Sequence, residues 1–171
     1  VGSEMATKWY VEQVLEAGIA PEIAGYKPEQ LDSLYRSLLE RVKAIPGVRA
    51  ASLSLYSPMS GNNWSGPIEV ANYQSKTGRG AGAQWVWVGP GYIQTAGLRM
   101  IAGRELGEQD TASSPWVAVV NDEFGRLYFP DRGPLGRQVK VFGKPVEVVG
   151  VVKDFKFNNP RQDNWPVMFM P

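Results

Sequence analysis

VGPGYIQTAGLRMIAGRELGEQDTASSPWVAVVNDEFGRLYFPDRGPLGRQVKVFGKPVEVVGVVKD, residues 88–154, is the stretch whose reading decides the fold. Its apolar residues come in short bursts at 98–101, 117–120, 139–142 and 146–152. Gly, Pro, Asp or Asn bounds each burst, and these residues supply turn geometry. The pattern predicts β-strands. One short helix is written between them, with Asn121 as its N-cap and Asp122 and Glu123 in its first turn. It should stop before Pro130, because the residue preceding a proline is pushed out of the helical region. Gly143-Lys144, between two apolar runs, is expected to form a two-residue hairpin turn with Gly first. The stretch predicts a mostly antiparallel β lobe with little chemistry on it.

Upstream, residues 28–45 carry the clearest periodicity. Leu31, Leu34, Tyr35, Leu38, Leu39, Val42 and Ile45 repeat at three and four residues, one apolar stripe of a helix. Pro28 suits the first helical position, Glu29 the positive end of the dipole, and Pro46-Gly47 the stop. Asp32 and Arg36 have the spacing of a helical ion pair, worth roughly 0.2–0.5 kcal/mol. Residues 48–56 alternate as a strand, with Ala51, Leu53 and Leu55 on one side. Residues 1–20 are ambiguous: propensity favours a helix from Ser3 to Glu16. A short strand at 15–19 is the alternative, and with it strand, helix, strand would make one β-α-β unit. Further on, 57–66 reads as a polar loop, 68–73 as a short strand, and 74–82 as a Gly-rich hairpin loop. Residues 83–88 read as a strand with Trp85 and Trp87 on one side and Val86 and Val88 on the other. A last apolar run occupies 167–170.

Three blocks, GYIQTAGLRMIAGRELGEQD, VAVVNDEFGRLYFPDRGPLGRQV and VEVVGVVKDF, resemble in order and spacing the periplasmic core domain of MacB-like ABC transporter permeases, grouped with FtsX-like permeases. The resemblance covers about residues 14–171, with AGYKPEQLDSLYRSLLERVKAIPGVRAASLSLYSPMSG as the upstream part. It favours the strand near 15–19. The fold class it implies is α+β: a porter-like β-α-β half, residues 1–62, whose second half would arrive after Pro171. An inserted, mostly antiparallel, sabre-like β lobe with one short helix follows at 63–171, its last residues returning toward the porter-like lobe. An exposed sheet edge is then expected, through which two chains could pair as a homodimer. The resemblance further implies an extracytoplasmic position at the bacterial inner membrane. Its partners would be the permease's own transmembrane helices, a cytoplasmic ABC ATPase, and a periplasmic adaptor or substrate protein. No cofactor is implied.

Composition narrows the chemistry. The 171 residues include 18 basic and 17 acidic side chains, net +1, with the basic residues scattered. That balance gives no reason to expect nucleic acid. Cysteine and histidine are both absent, which removes the usual catalytic triads and the commonest metal ligand. No G-x-S-x-G or Ser-x-x-Lys occurs. Gly78, Gly80 and Gly82 lie in a Gly-rich loop without the Lys-Ser/Thr ending of a phosphate loop, so ATP hydrolysis is not expected of this chain. No run approaches the ~20 apolar residues of a membrane span, and no signal peptide is read. Val1 is not an initiator methionine, so the chain reads as a piece of a longer protein.

Candidate site residues are correspondingly few. No catalytic, cofactor-binding or metal-binding residue is assigned. Glu105, Glu108 and Asp110, and Asp122 with Glu123, are carboxylates close in sequence, but turn chemistry and helix-start charge explain them. Asn63-Trp64-Ser65 fits a glycosylation sequon. Of six tryptophans, Trp116 and Trp165 are expected to pack at strand ends. Trp64, Trp85 and Trp87 are the candidate partner contacts, because both faces of the 83–88 strand are apolar and one could lie outside. Two further functions stay open: a surface binding module using that face for carbohydrate or peptide, and, far behind, a hydrolase built on a carboxylate pair.

Overall fold

A computed structural model describes residues 14–56, 64–75, 78, 80–111, 113–155 and 164–171. Its elements are α1 (Pro28–Lys43), β1 (Trp64–Pro67), β2 (Gly82–Trp87), α2 (Tyr92–Thr95), β3 (Met100–Gly103), β4 (Val117–Asn121), α3 (Asp122–Tyr128), β5 (Gln138–Val141), β6 (Lys144–Val152) and β7 (Val167–Met170). The class is α+β, one mixed sheet with short helices.

The strands run β1-β2-β7-β4-β6-β3, with β5 also on β6. Antiparallel pairs are β1/β2, β4/β7, β3/β6 and β5/β6; β2/β7 and β4/β6 are parallel. Just past β1, Glu69 bonds Lys140 of β5 through both backbone N–H groups. The hydrogen-bonded neighbours therefore form a closed cycle, a small barrel-like wall.

Alternation sends side chains to the two faces of this wall. One face carries Ile68, Trp85, Ala118, Val120, Val139, Val141, Val146, Val148 and Met168, with Phe124 and Tyr128 of α3 packed on them. The other carries Val86, Val117, Val119, Val167 and Phe169, covered by Tyr92 and Ile93 of α2 and by Leu106. Every residue of β4 and β7 is buried. Strands covered on both sides read as unbroken apolar runs, which is why VAVV and VMFM do not alternate. The β4/β6 register shifts between Ala118 and Val119, so that β6 accommodates one extra residue. That bulge lets Val148 and Val151 share a face across an odd spacing. Gly150 sits where no side chain fits, since a Cβ would lie 2.2 Å from the Arg104 carbonyl oxygen.

Several expectations hold. α1 begins at Pro28, with the Asp32–Arg36 pair at 3.2 Å on an exposed face. The Asn121 side chain accepts from the Phe124 N–H, and α3 ends before Pro130.

Others are corrected. Residues 14–20 form no strand, and Leu15 is 94% exposed; among the described residues no strand pairs with this segment. Residues 48–56 form no ladder: Ser54 alone bridges to Val88, with Leu55 N–H on the Trp87 carbonyl at 2.9 Å. The β-α-β unit is therefore not formed, and no residue of α1 is fully buried. The strand expected at 68–73 lies earlier, at β1, because pairing starts where Trp64 faces Trp85. Pro67 is tolerated there because it is the last residue of β1, before the single bridge of Glu69 to Lys140. The hairpin turn is Phe142-Gly143, both at positive φ (52° and 74°), one residue before the expected pair. A type I′ turn needs positive φ at both positions, and β5/β6 pairing fixes which two residues take it. α2 was not legible: four residues are too few to show a helical period.

Candidate functional site

β1 and β2 place the candidate tryptophans. The Trp64–Trp85 register pairs them across two antiparallel strands, and Trp87 follows Trp85 on the same side. Trp64 and Trp87 have ring centroids 5.4 Å apart; Trp85 and Trp87 are 6.2 Å apart and edge-on. The structure thus brings all three together, but at different depths. Trp64 is 54% exposed, Trp87 is half-buried, and Trp85 is only 2% exposed. Trp85 is therefore the floor of the cluster and not a surface contact, because its ring turns into the core face of the wall. Gly66 makes this possible: a Cβ there would lie 2.4 Å from the Trp85 ring.

A fourth aromatic, Phe142, completes the patch. Its ring lies 4.7 Å from that of Trp85, and it is 63% exposed. It is also a bulky residue in the left-handed region, which costs on the order of 1–3 kcal/mol. Contact with Trp85 offsets part of this. The sequence signal was available, since Phe142-Gly143 precedes a strand, but the turn was read one residue late.

The Tyr56 hydroxyl ties the patch to the preceding segment. It accepts the Trp64 N–H at 2.9 Å and donates to the Trp85 carbonyl. Burial raises the Tyr56 pKa, and the bond from Trp64 opposes that.

Most of these carboxylates are engaged in structural bonds. Glu105 accepts from the N–H groups of Ile93 and Gln94, so it caps α2 from a distant loop. Asp110 takes a bidentate bond from Arg104 (2.7 and 2.9 Å) and the Gly107 N–H at 2.8 Å. The Arg104 guanidinium holds its pKa below the ordinary carboxylate value despite burial. Glu108 is exposed. Asp122 and Glu123 share Arg126 with Asp154, a residue the sequence reading did not single out. Asn121, 1% exposed, sits behind them. It donates to Asp154 at 2.9 Å and to the Trp165 carbonyl at 2.8 Å, and accepts from Phe124 and Val167 N–H. This is a satisfied polar knot joining β4, α3 and β7.

Trp116 packs on the core with Lys144 over its ring, as a strand-end packing residue should. Trp165 is 56% exposed instead, since its backbone, not its ring, is what Asn121 holds. Gly78 and Gly82 belong to a segment leading into β2, not into a helix. Asn63 lies outside the described residues. Among the described residues no group of three or more Asp and Glu is placed to hold a metal ion, and no helix is long and apolar enough to cross a membrane.

Comparison with known proteins gives a family. The model of the MacB-like periplasmic core domain matches residues 5–171. The macrolide export ATP-binding/permease protein MacB of Aggregatibacter actinomycetemcomitans is 34% identical over 67 residues, 39% of this chain and 10% of that protein. An uncharacterized ABC transporter permease, YknZ of Bacillus subtilis, is 29% identical over 66 residues, 39% of this chain and 17% of that protein. The chain thus spans only a small part of these relatives. Among solved structures, the periplasmic region of MacB from Actinobacillus actinomycetemcomitans superposes with a TM-score of 0.56 at 22% identity, covering 80% of this chain and 54% of that one. The extracellular domain of YknZ gives 0.52 at 19%, covering 85% and 68%. At these identities the structures show a shared fold.

Proposed function

The chain belongs to the MacB-like periplasmic core domain family, and from that premise we propose that it relays motion of an ABC permease's transmembrane helices to a protein outside the membrane, without catalysing a reaction. The observation that carries this reading is the closed wall, packed on both faces. A relay has to move as a body, and a close-packed lobe transmits displacement where a loose segment would absorb it. The engaged carboxylates support the same reading, since a group already committed to a structural bond is not poised to transfer a proton.

Trp64 and Trp87, framed by Phe142, are the proposed contact for an adaptor or substrate protein, with Trp85 as their support. The division at 62/63, the transmembrane helices and separate ATPase as partners, and a homodimeric permease belong to the same proposal. The test uses the parent permease reconstituted with its ATPase. Trp64→Ala/Trp87→Ala should abolish dependence on the outside partner while nucleotide hydrolysis stays within about twofold, a change of ~0.4 kcal/mol. Loss of hydrolysis together with partner dependence would count against a relay surface.

The exposed Trp64–Trp87 pair also favours a second reading, a platform for carbohydrate, on which sugar faces stack as on other aromatic surfaces. Binding on a glycan array that disappears in Trp64→Ala would support it.

A further inference from the structure

A cleft of about 790 Å³ lies between residues 71–75 and the C-terminal turn of α3, away from the tryptophans. Its floor is aromatic: Tyr73 meets Tyr128 edge-on at 4.9 Å. The Tyr128 hydroxyl is already taken, donating to the Gly82 carbonyl and accepting from the Gly82 N–H. What faces the cleft is therefore ring surface, extended by Leu127 and Pro130.

The rim is cationic. Arg132 and Arg137 line the cleft and are exposed, and neither makes an ion pair among the described residues. Arg126 also lines it, but its guanidinium is bound to Asp122, Glu123 and Asp154. Among the described residues Asp131 is the single acidic residue of the lining. A net +1 chain with nearly equal charges thus gathers, over one aromatic floor, two guanidiniums that form no ion pair among the described residues.

We propose that this cleft is a docking site for an acidic peptide segment of a partner protein, with a carboxylate beside an aromatic or aliphatic side chain. Charge complementarity selects the carboxylates, because guanidiniums bind them bidentately. The floor selects the apolar neighbour. The volume lies in the range of binding clefts and exceeds what one small anion fills. Two unpaired arginines among the described residues are too few for a nucleic-acid backbone, whose binding grows with each phosphate neutralised. The proposal rests on the cleft itself and does not require the relay reading.

The experiment is an array of random dodecapeptides probed with the 171-residue chain and with Arg132→Glu/Arg137→Glu. Bound peptides should be enriched in Asp or Glu next to Phe, Tyr or Leu. In solution, replacing the carboxylates of the best peptide by amides should weaken it at least tenfold, about 1.4 kcal/mol. The double variant should do the same. Arg132→Gln/Arg137→Gln removes the charges without repulsion and gives the same reading should the Glu pair unfold. No acidic enrichment, or enrichment that survives loss of both arginines, overturns the proposal.

Discussion

Glu69 and Lys140 exchange both backbone hydrogen bonds, at 3.0 and 2.9 Å, and this one pair joins the end of β1 to the outer edge of β5. Their side chains also approach, Nζ to Oε2 at 3.5 Å, but both are more than half exposed. The backbone pair should therefore matter and the ion pair should not. Lys140→Ala is expected to change stability by less than ~0.5 kcal/mol. Glu69→Pro removes one donor and should cost about 1–3 kcal/mol by urea unfolding. It should also speed hydrogen exchange at the Lys140 amide. If Glu69→Pro melts like the parent, the closed cycle contributes nothing to stability.

Asn121 is nearly unexposed and makes four hydrogen bonds among α3, β7 and Asp154. Asn121→Ala leaves buried N–H and carbonyl groups without partners. Destabilisation of about 2–4 kcal/mol is expected. Asn121→Asp should be no better, since it sets a carboxylate against Asp154 and the Trp165 carbonyl. Chemical denaturation of both variants checks this; a full rescue by Asp would contradict the donor role of the amide.

Arg104 holds the Asp110 pKa below its ordinary value, with the Gly107 N–H helping and burial opposing. A carboxyl whose folded pKa is depressed releases its proton more readily when folded, so it stabilises the fold above the unfolded pKa near ~3.9. That stability is lost as pH falls from there through the folded value. Thermal melts between about pH 5 and 2 should show the loss, and Asp110→Asn should flatten that part of the profile.

Burial pushes the Tyr92 phenol up to about 12, with Glu16 adding to the rise and a bond from Ser54 opposing it. A group with a raised folded pKa contributes stability that is whole below the unfolded value. It is lost as pH rises from about 10 to about 12. Ultraviolet titration should find phenols ionising late, since burial raises Tyr56 and Tyr128 as well, and Tyr92→Phe should shrink the latest component by one phenol. A complete phenolate signal by pH ~10.5 would show that Tyr92 is not packed under Phe169 as the ring contact indicates.

The polar knot around Asn121 was legible only in part. α3 was readable because its start is local: Asn121 caps three residues on, and Pro130 forbids continuation. The strands 117–121 and 144–152 were readable from apolar density alone. The site was half legible. Aromatic residues two apart on a strand must share a side, so Trp85 and Trp87 fell together, but spacing cannot say which side faces water. Asp154 and Phe142 escaped because their partners are 28 or more residues away or across a turn.

From its order of residues alone, this protein's family, its mixed class, the starts of α1 and α3 and its lack of cysteine and histidine follow, because these are read from composition, from motif order or from neighbours within a few positions. Tertiary structure decided the rest. It chose where pairing begins on β1, which two residues turn between β5 and β6, and that Trp85 is floor while Trp64 is surface. Those choices depend on hydrogen-bond partners and packing volume supplied by distant chain, and no local pattern contains them.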